Sequence, residues 1–154
     1  MSEKKISVLY LDDEIENLNA FKANFRREFN VHTAQNIEEA FDVINGTEVH
    51  LIISDHKMPK ITGIDFFESL CKTHPNIVRV LLTGCSDLNT VVEAINKGQI
   101  FRYLYKPMDA MEIRQTIEYA YEAYIENMES EQEVLELLET NEKLEFMLRQ
   151  KLIS

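Results

Sequence analysis

The 154-residue sequence has few cysteines, and it lacks both long apolar runs and clusters of basic residues. Its two cysteines, Cys71 and Cys85, do not have the spacing of metal ligands, and such a pair is more often reduced than bridged. No apolar run approaches the roughly 20 residues that a membrane span needs, and residues 1–6 contain no apolar signal core. We therefore expect a cytoplasmic protein without membrane contact.

The charge is acidic, with a formal net value of −11 at pH 7. Residues 122–154 hold 9 acidic and 3 basic side chains, so about a fifth of the chain carries more than half of the excess negative charge. Phosphate backbones are bound by Lys and Arg, so this balance argues against a nucleic-acid partner. The length predicts one domain with a short appendage.

The first 121 residues alternate short apolar segments with segments of helical spacing. Strands are predicted at residues 6–11, 31–34, 51–53, 77–82 and 101–105. Helical patterns cover residues 15–29, 37–44 and 64–73, the stretch of Val91, Val92 and Ile95 up to Gly98, and the chain from Asp109 or Ala110 onward. Asn36, and either Asp87 or Asn89, are predicted N-caps. This alternation predicts a parallel sheet covered on both faces by helices.

Polar side chains follow four of the predicted strands, at the point where each strand ends. They are Asp12 and Asp13, Asp55, Thr83 and Lys106. The carboxyl ends of parallel strands lie at one edge of a sheet, where the functional loops of such folds are found. The sequence therefore predicts that these residues share one site.

Three carboxylates brought together repel one another and are tolerated mainly where a cation neutralises them. Aspartate oxygens with water suit Mg²⁺, while a lysine and a hydroxyl can bind phosphate oxygens. Such a set is able to form an aspartyl phosphate. Taken singly, the acidic pair also fits a helix N-terminus, Thr83 a turn, and Lys106 a solvated surface charge. Their common edge favours the shared site.

Four stretches resemble the response-regulator receiver family, and the resemblance spans about residues 5–125. They are VLYLDDE at residues 8–14, ISDHKMP at 53–59 with Gly63, LLTG at 81–84 and YLYKP at 103–107. The resemblance implies a flavodoxin-like (βα)5 three-layer fold with a five-stranded parallel sheet of order 2-1-3-4-5. It also implies that residues 1–121 form the receiver domain.

The resemblance assigns the chemistry of the site residue by residue. It implies that Asp55 is the phosphoacceptor and that Asp12 and Asp13 are the acids of a Mg²⁺ site. Asp13 is expected to be the direct ligand and Asp12 to act through water. The backbone carbonyl of Lys57 is expected to supply another ligand, and Asp55 itself belongs to the metal set.

The remaining family positions concern the switch. Lys106 is expected to pair with the phosphoryl group, across a Lys106–Pro107 peptide that resembles the family's cis bond. Thr83 is expected to move inward, and Tyr103 occupies the position of the family's rotating aromatic, although it also fits a plain strand residue. His56 fits an inert loop role. The other histidines, His32, His50 and His74, are expected to be ordinary surface or loop residues.

No glycine or proline occurs after Pro107, so the last helical pattern continues to the end of the chain. Residues 122–154 are predicted to form a helical extension. A 3-4-3-4 spacing that fits heptad positions a and d is formed by Val134, Leu137, Asn141, Leu144 and Leu148. This pattern favours a coiled coil, in which Asn141 would fix a parallel register. Leu135 and Leu138 fall outside that register, and a frayed acidic helix or a linker remains an alternative.

The function predicted from these features is a phosphorylation-activated switch of a two-component system, not a conventional enzyme. A sensor histidine kinase or a phosphotransfer protein is the expected donor. The expected response is a change in partner contacts or in a parallel homodimer formed through residues 110–154. Two alternatives remain: a phosphorylation-independent dimeric adaptor, and a regulatory fragment whose output domain is absent. A flavin protein is disfavoured, because Asp-Asp-Glu follows the first strand where a phosphate loop rich in Ser, Thr and Gly would be needed. A phosphatase of the haloacid-dehalogenase type is disfavoured, because the Asp-x-Asp pattern that carries its nucleophile on the first strand is absent.

Overall fold

A computed structural model describes residues 5–84 and 88–153 and contains five strands and five helices in alternation. The strands are β1 Ser7–Leu11, β2 Asn30–Ala34, β3 Leu51–Asp55, β4 Val78–Thr83 and β5 Arg102–Tyr105. The helices are α1 Ile15–Phe25, α2 Ile37–Gly46, α3 Gly63–Thr73, α4 Leu88–Glu93 and α5 Ala110–Ile153. The proposed cap Asp87 lies outside the described residues, and Asn89 lies inside α4.

All strand pairs in the sheet are parallel, and their order is β2-β1-β3-β4-β5. This confirms the flavodoxin-like fold with the order 2-1-3-4-5. The register pairs Leu11 with Ser54, and Asp55 with Leu82. The strands therefore end close together at one edge, which is where the predicted site residues lie.

Helices cover both faces of the sheet, and the alternation of side chains along each strand produces two apolar layers. In β1, Val8 and Tyr10 face the layer that contains Phe21 of α1 and Ile117 of α5. The alternate residues of the strand, such as Leu9, face the layer built by α2 and α3. Each fully buried large apolar side chain contributes about 1.5–3 kcal/mol relative to an exposed one, so these layers are the main source of stability.

Three helices begin where the sequence offers a capping side chain. The Asn36 side chain accepts a hydrogen bond from Glu39 N, which confirms the predicted cap of α2. The Thr62 hydroxyl accepts from Asp65 N at α3, and Asp109 Oδ1 accepts from Met111 N at α5. These bonds satisfy backbone donors that a helix start otherwise leaves unpaired.

The first helix is shorter than the helical pattern at residues 15–29 predicts. It ends at Phe25, and Glu28 N and Phe29 N both donate to the Phe25 carbonyl. The chain thus turns before Phe29, whose side chain is nevertheless buried against Phe25 in the same apolar layer. The apolar pattern continues to Phe29 because its side chain is buried. A continued helix and the observed tight turn would both direct that side chain into the core.

The segment after α4 is a π-helical turn, Ala94–Gly98, followed by Gln99 in the left-handed region at φ 47°. Buried Arg79 of β4 holds this turn: its Nε donates to the Gly98 carbonyl at 3.0 Å, and its Nη2 donates to the Gln99 carbonyl at 3.1 Å. Of the predicted apolar residues in this stretch, Val92 and Ile95 are exposed and do not contribute to the core.

The chain divides into two compact units, Met1–Tyr124 and Ile125–Ser154. The first contains the sheet, and the second is helical as far as Ile153. Within the second unit the leucines and the other apolar residues up to Leu152 are exposed to solvent. No helix among the described residues is both long and apolar enough to cross a membrane.

Candidate functional site

Five of the predicted site residues line one open cleft at the carboxyl edge of the sheet. The cleft is lined by Asp13, Glu14, Asp55, Lys57, Thr83, Gly84 and Lys106. Backbone hydrogen bonds position the strand ends: His56 N donates to the Leu82 carbonyl, and Lys106 N donates to the Thr83 carbonyl at 2.8 Å. The structure therefore brings together groups that the sequence places at the ends of four separate strands.

Three carboxylates form the acidic part of the cleft. One oxygen each from Asp12, Asp13 and Asp55 lies within 4.8 Å of the others. Asp12 and Asp55 are buried, whereas Asp13 is more accessible. Negative groups this close raise the free energy of the folded chain unless a cation is near, so the arrangement is suited to bind one.

One lysine balances part of this charge: Lys106 Nζ lies 2.9 Å from Asp55 Oδ1. Burial raises the pKa of Asp55, and repulsion from Asp12 and Asp13 adds to this, although Lys106 acts in the opposite direction. Burial tends to lower the pKa of Lys106, but its hydrogen bond to Asp55 and the surrounding acids raise it overall. Lys106 is therefore a permanent cation, while Asp55 is a carboxylate whose charge is costly without a further positive partner.

Asp12 is held by donors that the sequence interpretation did not identify. Tyr10 Oη donates to Asp12 Oδ2 at 2.7 Å, and Asn17 Nδ2 donates to the same oxygen at 3.1 Å. The backbone N of Glu14 donates to Oδ1 at 2.9 Å. Burial, and then the hydrogen bond to Asp12, raise the pKa of Tyr10 far above the usual phenol range, so the hydroxyl stays protonated. The available signal was the two-residue spacing between Tyr10 of β1 and Asp12, which directly follows that strand.

Thr83 and Tyr103 occupy the two predicted switch positions. Thr83 is buried at the end of β4 and lines the cleft. Tyr103 is half-buried and packs against the apolar layer on the α3 side, with its ring 5.2 Å from the ring of Tyr105. Their coupled movement remains a prediction. Cys85, which follows Thr83 by two residues, lies outside the described residues.

Gly63, at the start of α3, supports the loop behind Asp55. A Cβ at this position would lie 2.7 Å from the Asp55 carbonyl oxygen and 2.9 Å from Leu81 Cδ1. Gly63 N donates to the His56 carbonyl at 2.9 Å, which closes the loop. The close approach therefore requires glycine. The Lys106–Pro107 peptide is cis, as the resemblance implied.

Two histidines differ in their relation to the site. His56 follows Asp55, and its buried Nδ1 has no hydrogen-bond partner among the described residues; burial lowers the pKa of its ring. His50 is buried, not an ordinary surface residue: its Nδ1 accepts from Ser7 N at 2.9 Å, and its ring lies 4.9 Å from that of Tyr124. His50 precedes β3, at the opposite edge of the sheet from the acids, so it anchors α5 to the sheet without entering the cleft.

The sequence model of the response regulator receiver domain family matches residues 8–118 of this chain. The chain is 31% identical over 123 residues to the hydrogenase transcriptional regulatory protein HoxA of Cupriavidus necator, covering 80% of this chain and 26% of that protein. It is also 31% identical to the transcriptional regulatory protein GlrR of Escherichia coli, covering 79% of this chain and 28% of GlrR. The chain thus spans about a quarter of the length of these regulators.

Solved receiver structures show the same architecture. The signal receiver domain of an HD domain-containing protein from Pseudomonas fluorescens superposes with a TM-score of 0.77 at 28% identity, over 84% of this chain and 96% of that one. The beryllofluoride-activated NtrC4 receiver domain dimer superposes with a TM-score of 0.70 at 30% identity, over 77% and 98% of the two chains. The chain belongs to the response regulator receiver domain family of two-component systems. Members of this family are signalling proteins and not classical enzymes.

Receiver domains bind Mg²⁺ at an acidic pocket, and the residues of this cleft fit that ion. The donors are carboxylate oxygens, which hard cations prefer, and they converge within 4.8 Å. The cleft is open, which leaves room for the waters that Mg²⁺ retains. Lys57 lines the same cleft, so its carbonyl stays a candidate ligand.

Proposed function

We propose that this receiver domain is a phosphorylation-activated switch in which Asp55 accepts a phosphoryl group from a histidine kinase or a phosphotransfer protein. The observation that carries the proposal is the position of Asp55: it lies between two further carboxylates and Lys106, whose Nζ is 2.9 Å from Asp55 Oδ1. A nucleophilic oxygen, a cation-binding pocket and a fixed ammonium are the groups that phosphoryl transfer to a carboxylate needs.

In the proposed reaction an oxygen of Asp55 attacks phosphorus. A new O–P bond forms while the bond between phosphorus and the donor atom breaks, and the donor retains the bonding electron pair. Bound Mg²⁺ would neutralise charge on the phosphoryl oxygens. Asp13 would be its direct ligand, together with Asp55 and the Lys57 carbonyl, and Asp12 would hold it through water. Lys106 would then release Asp55 and pair with a phosphoryl oxygen.

The proposed response begins at Thr83. Its position beside the cleft would allow the hydroxyl to bond a phosphoryl oxygen, and Tyr103 would move into the space that Thr83 leaves. Tyr103 contacts Tyr105, which is half exposed at the end of β5. Val92 of α4 and Ile95 of the following π-helical turn are exposed as well. The movement would thereby change a surface that a partner can contact.

The proposed partition of the chain is a receiver domain, residues 1–121, and a helical extension, residues 122–154, that forms a parallel homodimer. Support comes from the exposed apolar side chains of the extension, which include Val134, Leu137, Leu144 and Leu148. An isolated helix with such a stripe gains stability by burying it against a second helix. NtrC4 provides a relative whose activated receiver domain is a dimer.

The test is mass spectrometry of the intact chain after incubation with Mg²⁺ and acetyl phosphate. One phosphoryl group is expected on the unaltered chain and none on Asp55→Asn. Asp65→Asn serves as the matched control, because Asp65 is an exposed aspartate at the start of α3. Equal labelling of Asp55→Asn and the unaltered chain would contradict the site. A chain that dimerises but never gains a phosphoryl group would favour the alternative, a phosphorylation-independent adaptor.

A further inference from the structure

The hydrogen bonds around Asp12 leave its two carboxylate oxygens unequal. Oδ2 accepts from Tyr10 Oη at 2.7 Å and from Asn17 Nδ2 at 3.1 Å. Oδ1 accepts only from Glu14 N, at 2.9 Å, among the described residues. A carboxylate oxygen offers about two lone-pair positions, so Oδ2 is fully used and Oδ1 keeps one position for another partner.

This difference between the two oxygens limits how Asp12 can coordinate a cation. A bidentate contact needs a free lone pair on both oxygens, and Oδ2 has none. Ca²⁺ takes 6–8 oxygen ligands in flexible geometry and commonly includes bidentate carboxylates. Mg²⁺ requires a near-octahedral shell, retains several waters and uses only one or two carboxylates directly. A singly available Asp12 oxygen therefore suits the smaller ion.

Tyr10 is the more firmly fixed of the two side chains that occupy Oδ2. It is completely buried, and its ring stacks on Phe21 with centroids 4.5 Å apart and planes at 30°. Phe21 in turn contacts Phe25, at 4.8 Å between ring centroids. The hydroxyl is thus held against Asp12 by the apolar layer under α1, whereas Asn17 is only half-buried on that helix.

We propose that Tyr10 is a specificity-determining residue of the cation site, which excludes Ca²⁺ by occupying Asp12 Oδ2. The inference rests on the metal-binding part of the proposed function. Tyr10 does not itself bind the ion; it restricts Asp12 to one available oxygen. Removing the hydroxyl frees one lone pair on Oδ2 and lets a larger ion use both oxygens.

Isothermal titration of Mg²⁺ and of Ca²⁺ into the full chain, the Tyr10→Phe variant and a matched control provides the test. Tyr10→Phe retains the ring that packs on Phe21, so the fold is expected to persist, as circular dichroism can check. Since a hydrogen bond to a charged group is lost, we expect the preference for Mg²⁺ over Ca²⁺ to fall about tenfold, mainly through tighter Ca²⁺ binding. Asn17→Ala should shift the preference in the same direction by less. Tyr119→Phe, at a half-exposed tyrosine of α5, should not change it.

The outcomes separate this inference from the proposed function. An unchanged ratio of the two affinities in Tyr10→Phe, with Mg²⁺ still bound by the unaltered chain, would overturn the role of Tyr10 alone. Equal weakening of both ions would also overturn it, because Tyr10 would then only position Asp12. If the unaltered chain binds neither ion, the metal site and the selectivity proposal both fail.

Discussion

Lys106 Nζ lies 2.9 Å from Asp55 Oδ1, although β4 separates β3, which ends at Asp55, from β5, which Lys106 directly follows. The lysine extends over the end of β4, where Lys106 N bonds the Thr83 carbonyl. The ion pair thus connects β3 with β5 above Thr83. A phosphoryl group on Asp55 would replace the direct contact between Asp55 and Lys106. Thr83, which is proposed to respond to phosphorylation, lies at the end of the strand between them.

Asp55→Asn should stabilise the metal-free chain. Burial, reinforced by Asp12 and Asp13, raises the pKa of Asp55, so its ionised form opposes folding at neutral pH. This loss of folding free energy develops as the pH rises above the pKa that Asp55 has in the unfolded chain, and it is absent at lower pH. We expect Tm near pH 7 to increase by about 2–6 °C, roughly 1 kcal/mol for a domain of this size. Thermal unfolding in the presence of a metal chelator measures this change in Tm.

The same variant should lose most of the stabilisation that Mg²⁺ gives the unaltered chain, because a ligand stabilises only the state that binds it. Asp65→Asn, outside the cleft, should retain it. A lower Tm of Asp55→Asn in the chelator would show that the pair with Lys106 outweighs burial and repulsion.

Thr83→Ala should still accept a phosphoryl group but fail to transmit it. The Thr83 hydroxyl is proposed to stabilise the product conformation, whereas attack on phosphorus requires Asp55. We expect labelling within about threefold of the unaltered chain, a difference below 1 kcal/mol, and a reduced beryllofluoride-induced change in the amide spectrum of β5 and α4. Labelling as low as that of Asp55→Asn would assign Thr83 a chemical role.

Gly63→Ala should destabilise the chain and disturb the site. Its Cβ would lie 2.7 Å from the Asp55 carbonyl, so the loop from His56 must shift. Forcing a methyl group into such a contact costs about 1–3 kcal/mol. Urea unfolding measures the loss, and Mg²⁺ titration measures its effect on the cleft. Gly46→Ala is the control, because no heavy atom lies within 4 Å of the Cβ added there. Equal stability of the two variants would contradict the close approach.

Leu137→Glu should weaken the proposed homodimer, whereas Leu135→Glu should not. Both leucines are exposed, at 64% and 49%, but only Leu137 falls on the heptad seam with Val134 and Leu144. A glutamate on the seam would place like charges together when two helices pair in register. Analytical ultracentrifugation with beryllofluoride should show about a tenfold weaker dimer, near 1.4 kcal/mol, for Leu137→Glu.

Phosphorylation of Asp55 should persist in both leucine variants, since the extension carries none of the cleft residues. Equal dimerisation by the two variants would exclude the proposed seam. An unaltered chain that remains monomeric with beryllofluoride would leave the extension without a role in self-association.

The sequence alone determined the strands, their parallel arrangement and the edge on which the acids lie. These features follow from local patterns: continuous apolar runs mark strands buried on both faces, and a polar residue after each run marks the carboxyl edge. The order of the strands came from the resemblance. The observed pairing of β1 with β3, in which Leu11 lies opposite Ser54, agrees with that order. The cap at Asn36 was equally local, because one side chain and a backbone N three residues later suffice.

Only the tertiary structure decided which of these groups touch. The pair of Lys106 with Asp55, the bond from Tyr10 to Asp12 and the contact of Gly63 with the Asp55 carbonyl depend on strand register and side-chain direction. Tertiary packing also ended α1 at Phe25 and left Val92 exposed, although both segments have helical spacing. Periodicity reports which side of an element is apolar, whereas long-range packing fixes what lies opposite that side, and at what distance.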